Sequence, residues 1–278
     1  MNIFLFGLIF LFALNNSCRK EKKEDTTKEF QEASKDIAIS ENFFNDLKKQ
    51  AIYYLKKAED SLKIGSFIFD SITECPTITI FPFNSTTWPK TIIIDFGNTN
   101  CMCNDGRFRR GKINITATGF YRDSGTVITI IPEDYYVNNY KIEGNKVITN
   151  LGRNQEGNLK YSIITEGKIT FTDGTSRKWN SQRFNLWLSG ENTFNPFDDE
   201  YEVTGTANGI TRNNKNFSLT IVNPLNIYTG CKWIRSGSVS LFIENYNPIY
   251  VNYGNEKICD NQIIVTINNQ NYIINISN

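Results

Sequence analysis

The sequence predicts a mainly β protein: a large antiparallel meander, curled into a barrel-like or two-layer sheet, with one N-terminal amphipathic helix. Three observations carry this. From residue 66 onward, apolar and polar residues alternate in runs that recur about every ten residues, the period-two signature of half-buried strands. Short polar reversals separate the runs: Glu143-Gly-Asn145, Glu166-Gly167, Asp173-Gly174, Asn213-Asn214-Lys215 and Asn268-Asn269-Gln270-Asn271. Connections this short make neighbouring strands antiparallel, and a sheet of more than about ten strands curls or splits.

The stretch from Lys90 to Tyr121 anchors the pattern. Lys90 to Phe96 is β-branched and apolar, as in a largely buried strand. Asn104-Asp-Gly106 suits a reversal, and Ile113, Ile115 and Ala117 then alternate with Lys112, Asn114 and Thr116. Further on, Val127, Ile128 and Ile130 lead to a stop at Pro132. Phe184, Leu186 and Leu188 claim one face of a strand, with Asn185 and Trp187 on the other. Phe217, Leu219 and Ile221, then Val239, Leu241 and Ile243, then Ile263, Val265 and Ile267 follow the same rule. The longer irregular connection, Ser189 to Glu200, is placed to divide two sheets or subdomains.

Ahead of this domain (66–278) lie three segments. Residues 1–17 read as a lipoprotein signal peptide. Ile3 to Leu14 is apolar but shorter than the ~20 residues a bilayer span takes. It leads to Ser17-Cys18, a small residue directly before a cysteine, although no basic residue precedes it and Asn15 stands where an aliphatic is usual. Cys18 is therefore expected to be the lipidated, palmitate-bearing N-terminus, joining the protein to a membrane. Residues 18–39 are rich in charge and poor in apolar side chains, predicting a flexible tether. Residues 40–65 predict a helix capped by Ser40 and stopped at Gly65. Its core stripe is Phe44, Leu47, Ala51, Leu55, Ala58 and Leu62, with Lys48, Lys49, Lys56, Lys57 and Glu59 over the remaining surface. Phe43, Tyr53 and Tyr54 widen the apolar face, so the helix needs cover from its own domain.

With Cys18 lipidated, an exported chain keeps Cys75, Cys101, Cys103, Cys231 and Cys259 for disulfides. Cys231 with Cys259 is the first expected pair, and Cys75 with Cys101 or Cys103 the second. No Cys-x-x-Cys spacing supports a zinc site, and no metal or cofactor is expected.

The chain has no histidine, which removes Ser-His-Asp and Cys-His catalysis and His-ligated metals. A net charge of +1 gives no field for nucleic acid. Carboxylates near turns (Asp95, Asp105, Asp123, Asp198, Asp199, Glu200) leave only a carboxylate-pair glycosidase open, and solvated turn acids explain them more simply. Arg107, Arg109 and Arg110 read either as an anion site or as an exposed strand face. Trp187, flanked by Leu186 and Leu188, is the candidate for stacking on a ligand such as a glycan.

Cys75-Pro-Thr-Ile-Thr-Ile, Trp88-Pro-Lys-Thr-Ile-Ile-Ile-Asp-Phe-Gly and Asn104-Asp-Gly-Arg-Phe-Arg-Arg-Gly-Lys-Ile occur in that order, with Tyr135 to Gly144 and Cys231-Lys-Trp-Ile-Arg-Ser-Gly-Ser-Val after them. This series resembles a group of β-rich lipoproteins of Bacteroidota bacteria that carries no known activity. The resemblance implies an outer-membrane location in the cell envelope, on its periplasmic or surface face, and a β fold. The leading expectation is a non-enzymatic, lipid-anchored envelope protein that binds a glycan or another envelope protein, or is structural. The alternatives are a carbohydrate-binding or carboxylate-dependent glycan-active lipoprotein, and a carrier of a lipid or other apolar ligand.

Overall fold

One long helix, α1 (Leu14–Ile64), is followed by fourteen strands. They are β1 (Thr77–Phe81), β2 (Lys90–Asp95), β3 (Cys101–Met102), β4 (Phe108–Ala117), β5 (Val127–Val137), β6 (Tyr140–Arg153) and β7 (Leu159–Thr170). There follow β8 (Ser176–Ser189), β9 (Glu200–Ile210), β10 (Asn216–Tyr228), β11 (Ser236–Ile243), β12 (Ile249–Asn252), β13 (Gln262–Ile267) and β14 (Gln270–Asn275). This computed structural model describes residues 14–66, 76–193 and 197–276, with backbone alone for 14–29. The signal core and Cys75 lie outside the described residues. Among those described, no helix is long and apolar enough to cross a membrane.

The strands form a single antiparallel meander in sequence order, with β3 alone off the path, paired to β4. β2 pairs with β4 as the sequence predicts, placing Ile92 and Ile94 against Ile115 and Ile113. β2 is buried on one face only: Thr91 is exposed and Ile93 half-buried. The connection from Ser189 to Glu200 divides nothing, because β8 and β9 pair across it from Ser189↔Glu200 to Lys178↔Ile210.

Curling follows from where α1 lies. Asp36 sits beside Arg177 at the start of β8, and Lys56 lies over Trp187 near its end. Asp36 to Lys56 rises ~30 Å at ~1.5 Å per residue, close to the ~33 Å from Arg177 to Trp187 at ~3.3 Å per residue. The helix thus runs along the strands. A flat sheet with twelve successive strand spacings would be roughly 58 Å wide at ~4.8 Å each. Yet α1 touches β2, β4 and β5 near one edge and β13 and β14 at the other. Only a sheet wrapped around the helix permits that. The wrap stops short of a barrel, since β1 and β14 remain unpaired to each other as edges.

The predicted stripe from Phe44 to Leu62 is buried throughout, and Gly65, at φ 75°, ends the helix. The helix start departs from expectation. Ser40 is no cap: it lies mid-helix and its Oγ donates to the Asp36 carbonyl at 2.8 Å. The stretch 18–39, expected to be a tether, is helical, and Phe30, Ile37, Ala38 and Ile39 are buried. Lys48, Lys56 and Glu59 are buried rather than solvated. The residues packed on the helix supply partners for most of its buried charges. Arg212 donates to Asp36 at 2.6 and 2.9 Å, Arg183 to Glu41 at 2.6 Å, and Lys56 to Asp199 at 3.1 Å. Asp46 receives Arg107 at 2.6 Å and Arg109 at 2.8 Å. Glu59 accepts the Tyr121 amide at 2.5 Å.

Two expected reversals are also absent. β6 and β7 run straight through Gly144 and Gly167, which face each other in the register. A Cβ at Gly167 would lie 2.6 Å from the Phe44 ring, so the glycine makes room for the helix. The reversal before β6 is instead Asn138-Asn139, both in left-handed conformation at φ 48° and 67°. Pro132 does not stop β5, which continues to Val137 past a bulge between Ile130 and Tyr135. The expected reversals at Asp173-Gly174, Asn213-Asn214 and Asn268-Asn269 all form.

Cys231 and Cys259 are joined across 28 residues, a closure contributing about 3–4 kcal/mol in the chain-entropy account. Cys101 is also disulfide-bonded, and Cys103 is a free thiol.

Asp46 tests the ion-pair seam. Asp46→Asn takes a buried carboxylate from Arg107 and leaves Arg109 with Asp105 alone, and is expected to cost roughly 3–5 kcal/mol in urea unfolding. A loss below about 1 kcal/mol, the size of an exposed pair, would contradict the description.

Candidate functional site

A cleft of about 970 Å³ opens between α1 and the segment joining β1 to β4. Its helical wall is the stripe Lys49, Gln50, Tyr53, Tyr54 and Lys57, whose spacing of one, four, five and eight residues keeps them on one side of the helix. Opposite stand Ile78 of β1, Phe96 after β2, and the segment 99–105 carrying β3. Phe197 closes one end. Local bonds shape the loop wall. The Gly97 amide donates to Asp95 at 2.8 Å, the Cys103 amide to the Arg107 carbonyl at 2.9 Å, and the Gly106 amide to the Cys103 carbonyl at 2.9 Å. The last of these closes the Asn104-Asp-Gly106 turn read from the sequence. Because β3 has only two residues, the loop stands beside the helix without joining the meander.

The rings interlock. Tyr53 meets Tyr54 edge-on with centroids 4.7 Å apart and Phe197 at 5.3 Å. The Lys57 ammonium lies 5.0 Å from the Tyr53 ring and that of Lys49 5.8 Å from Phe197. Burial pushes the Tyr54 hydroxyl up and the Lys49 ammonium down from their ordinary pKa values. Burial likewise raises the Cys103 thiol, against the pull of Arg109, so it is no ready thiolate.

Behind the cleft, Arg109 joins Asp46 to Asp105, whose carboxylate it meets at 2.8 and 2.7 Å. Burial pushes Asp46 up, yet the guanidiniums of Arg109 and Arg107 outweigh it and hold the acid at about 2. Asp105 is also held below its ordinary value, with burial overcome by the Arg109 bonds. The sequence left open whether these arginines form an anion site or an exposed face. Arg107 and Arg109 are buried, and the anion they bind is the helix's own Asp46. Arg110 alone faces outward, lying 3.7 Å from the Tyr136 ring centre.

The remaining acids do not converge. Asp95 pairs with exposed Lys112 at 3.2 Å, Asp198 accepts from Thr193 at 2.9 Å, and Glu200 pairs with Lys257 at 2.7 Å and Arg235 at 3.1 Å. Asp199 is buried against Lys56 and Tyr201, and Asp123 lies exposed in the connection from β4 to β5. Among the described residues no cluster of acids and cysteines could hold a metal ion.

Trp187 is corrected. It is 1 % exposed and faces the helix, while Leu188 points outward at 37 %. It stacks on Tyr201 at 5.6 Å and lies 5.8 Å from Tyr121, which itself stacks on Tyr161 at 4.7 Å. The inward parity of β8 also carries Arg177, Trp179, Arg183 and Asn185. Periodicity assigned the apolar parity to the core because it did not foresee that a charged helix would occupy the lumen. No motif in the sequence marks Lys49, Gln50, Tyr53 and Tyr54 as a site. Their one signal was an aromatic helix face wider than a single stripe.

Lys146 of β6 is a further buried cation, donating to the Phe44 carbonyl at 2.8 Å. Burial, then the charge of Lys48, brings it down to about 7, while Lys48 itself falls to about 8 by burial. No protein-family model matches this chain, and no curated protein or solved structure is similar to it.

Two measurements check this geometry. Trp187→Ala is expected to cost about 3–5 kcal/mol in stability, as for a core aromatic, where a surface stacking residue would cost almost nothing. Folded Lys146 loses its proton near 7 and the unfolded chain holds it to 10.5, so unfolding takes up a proton in between and stability rises with pH. From pH 8 to 9.5, Lys146→Met is expected to lower that slope by up to about 1.4 kcal/mol per pH unit. Identical slopes would show that Lys146 is not desolvated.

Proposed function

We propose that this is a non-enzymatic, lipid-anchored protein of the cell envelope, held in the outer membrane through Cys18, that binds a small ligand in the cleft beside α1. The cleft carries the reading. Its size falls within the ~300–1,000 Å³ of ordinary ligand pockets, and it combines aromatic walls with Lys49 and Lys57, which make no ion pair among the described residues. The apolar core from Ile3 to Leu14 ending at Ser17-Cys18 supports the anchor, and the Cys231–Cys259 disulfide supports an oxidising compartment. The likeness to Bacteroidota lipoproteins supports the same location.

The acids nearest the cleft are held ionised by arginine, which suits them to fixing structure and not to donating or accepting protons in turnover. A glycan platform on Trp187 loses its support, because that ring is in the core. The apolar-carrier reading retains support from the cleft alone, since α1 fills the rest of the curled sheet.

Cells fed an alkyne-tagged palmitate are expected to label the wild-type protein and leave Cys18→Ala unlabelled. Equal labelling of both would remove the anchor. Incubation of the Cys18→Ala protein with plant, host and bacterial glycans is expected to give no turnover.

A further inference from the structure

Five cations facing the lumen are matched by acids across the helix–sheet seam, Arg107 and Arg109 by Asp46, Arg183 by Glu41, Arg212 by Asp36, and Lys56 by Asp199, while Lys48, Lys146 and Arg177 are buried without an ion pair among the described residues. Lys49 and Lys57 on the cleft wall also lack an ion pair, and they face open space. Among the described residues neither makes an ion pair or a side-chain hydrogen bond; each lies over an aromatic ring, and Lys49 also feels the charges of Asp46 and Asp105, both already bonded by Arg109. Among the described residues the one acid lining the cleft, Asp105, is already bonded twice by Arg109. Among the described residues Lys49 and Lys57 therefore have no carboxylate of their own, in a partly desolvated place where a counter-anion gains more than it would in water.

Apolar side chains share the rest of the wall with Gln50, Thr99, Asn100 and Asn104. Met102 is 67 % exposed and Phe197 44 %, and Tyr53, Tyr54, Phe96 and Ile78 continue the surface inward. A purely polar anion would leave that surface wet, and a neutral apolar molecule would leave the ammonium groups unmatched. We propose that the cleft takes an anionic amphiphile, its apolar body against Tyr53, Tyr54, Phe96 and Phe197 and its carboxylate or phosphate head met by Lys49 and Lys57. This rests on the reading of the cleft as a ligand site and names the class of ligand.

The free thiol of Cys103 lines the same cleft and reports on its occupancy. The test uses the full chain as Cys18→Ala with its disulfides intact. The rate of maleimide addition to Cys103, located by mass spectrometry, is measured with each probe, and affinity is measured by calorimetry. Probes are hexadecanoate and hexadecyl phosphate below their micelle concentrations, neutral monohexadecanoylglycerol, oligogalacturonate as a polar anion, and phosphatidylglycerol vesicles. The two anionic amphiphiles are expected to slow labelling at least tenfold. Lys49→Gln with Lys57→Gln is expected to weaken their binding at least tenfold with an unchanged far-UV spectrum, and each single variant by less.

Equal protection by the neutral amphiphile, or unchanged affinity in the folded double variant, overturns the anionic head while leaving a binding cleft. Protection by oligogalacturonate alone overturns the apolar body. Protection by vesicles alone overturns a monomer in the cleft in favour of a membrane-lying face. No protection by any probe overturns this proposal and the ligand-site reading together.

Discussion

The structure depends on an exchange of charge between one helix and the inner face of one sheet. Removing a carboxylate or an ammonium from water costs several kcal/mol per ion, and only a well-placed partner offsets it. Neither half carries its partners alone. The sheet brings Arg107, Arg109, Arg183 and Arg212 inward, and the helix brings Asp46, Glu41 and Asp36. Lys56 and Asp199 reverse the polarity near the helix C-terminus. A slip of the helix by one turn, ~5.4 Å, would strand every one of these charges. The seam therefore fixes the register of α1 in the curled sheet, a task that apolar contacts alone leave loosely specified.

That register places the other features. It sets Phe44 over Gly167, where any side chain on the strand would collide with the ring. It sets Lys56 above the cluster of Trp187, Tyr201, Tyr121 and Tyr161, so a cation caps the largest aromatic group of the core. It also determines where the seam is interrupted. The segment after β2 leaves the meander, makes only the two-residue β3, and returns to β4. Beside that departure the helix face from Lys49 to Lys57 meets loop and not strand, and the space becomes a cleft. Arg109 links the two regions, because its guanidinium binds Asp46 of the seam and Asp105 of the cleft wall. Order in the cleft and adhesion of the helix are in this way coupled through one side chain.

The sequence by itself determined what local chemistry encodes. Alternation in Ile113-Asn-Ile-Thr-Ala117 or Ile263-Ile-Val-Thr-Ile267 marks a strand with one buried face, whatever covers that face. Asp173-Gly174 and Asn268-Asn269 turn because few other residues accept those backbone angles. The stripe from Phe44 to Leu62 and the stop at Gly65 are properties of the helix alone, and the Cys231–Cys259 pair flanks the last strands closely enough to be read directly. Only the tertiary structure decided which polar residues are inside. Lys56 and the segment holding Asp36 read as solvated until each is set beside a charge far away in sequence, as Lys56 is beside Asp199 and Asp36 beside Arg212. Gly144 and Gly167 read as reversals until the neighbouring β7 backbone, for the first, and the Phe44 ring, for the second, show what their missing side chains admit. Trp187 changed faces for the same reason. Periodicity ranks residues by their dislike of water, whereas the lumen of this sheet selects them by fit to a charged helix.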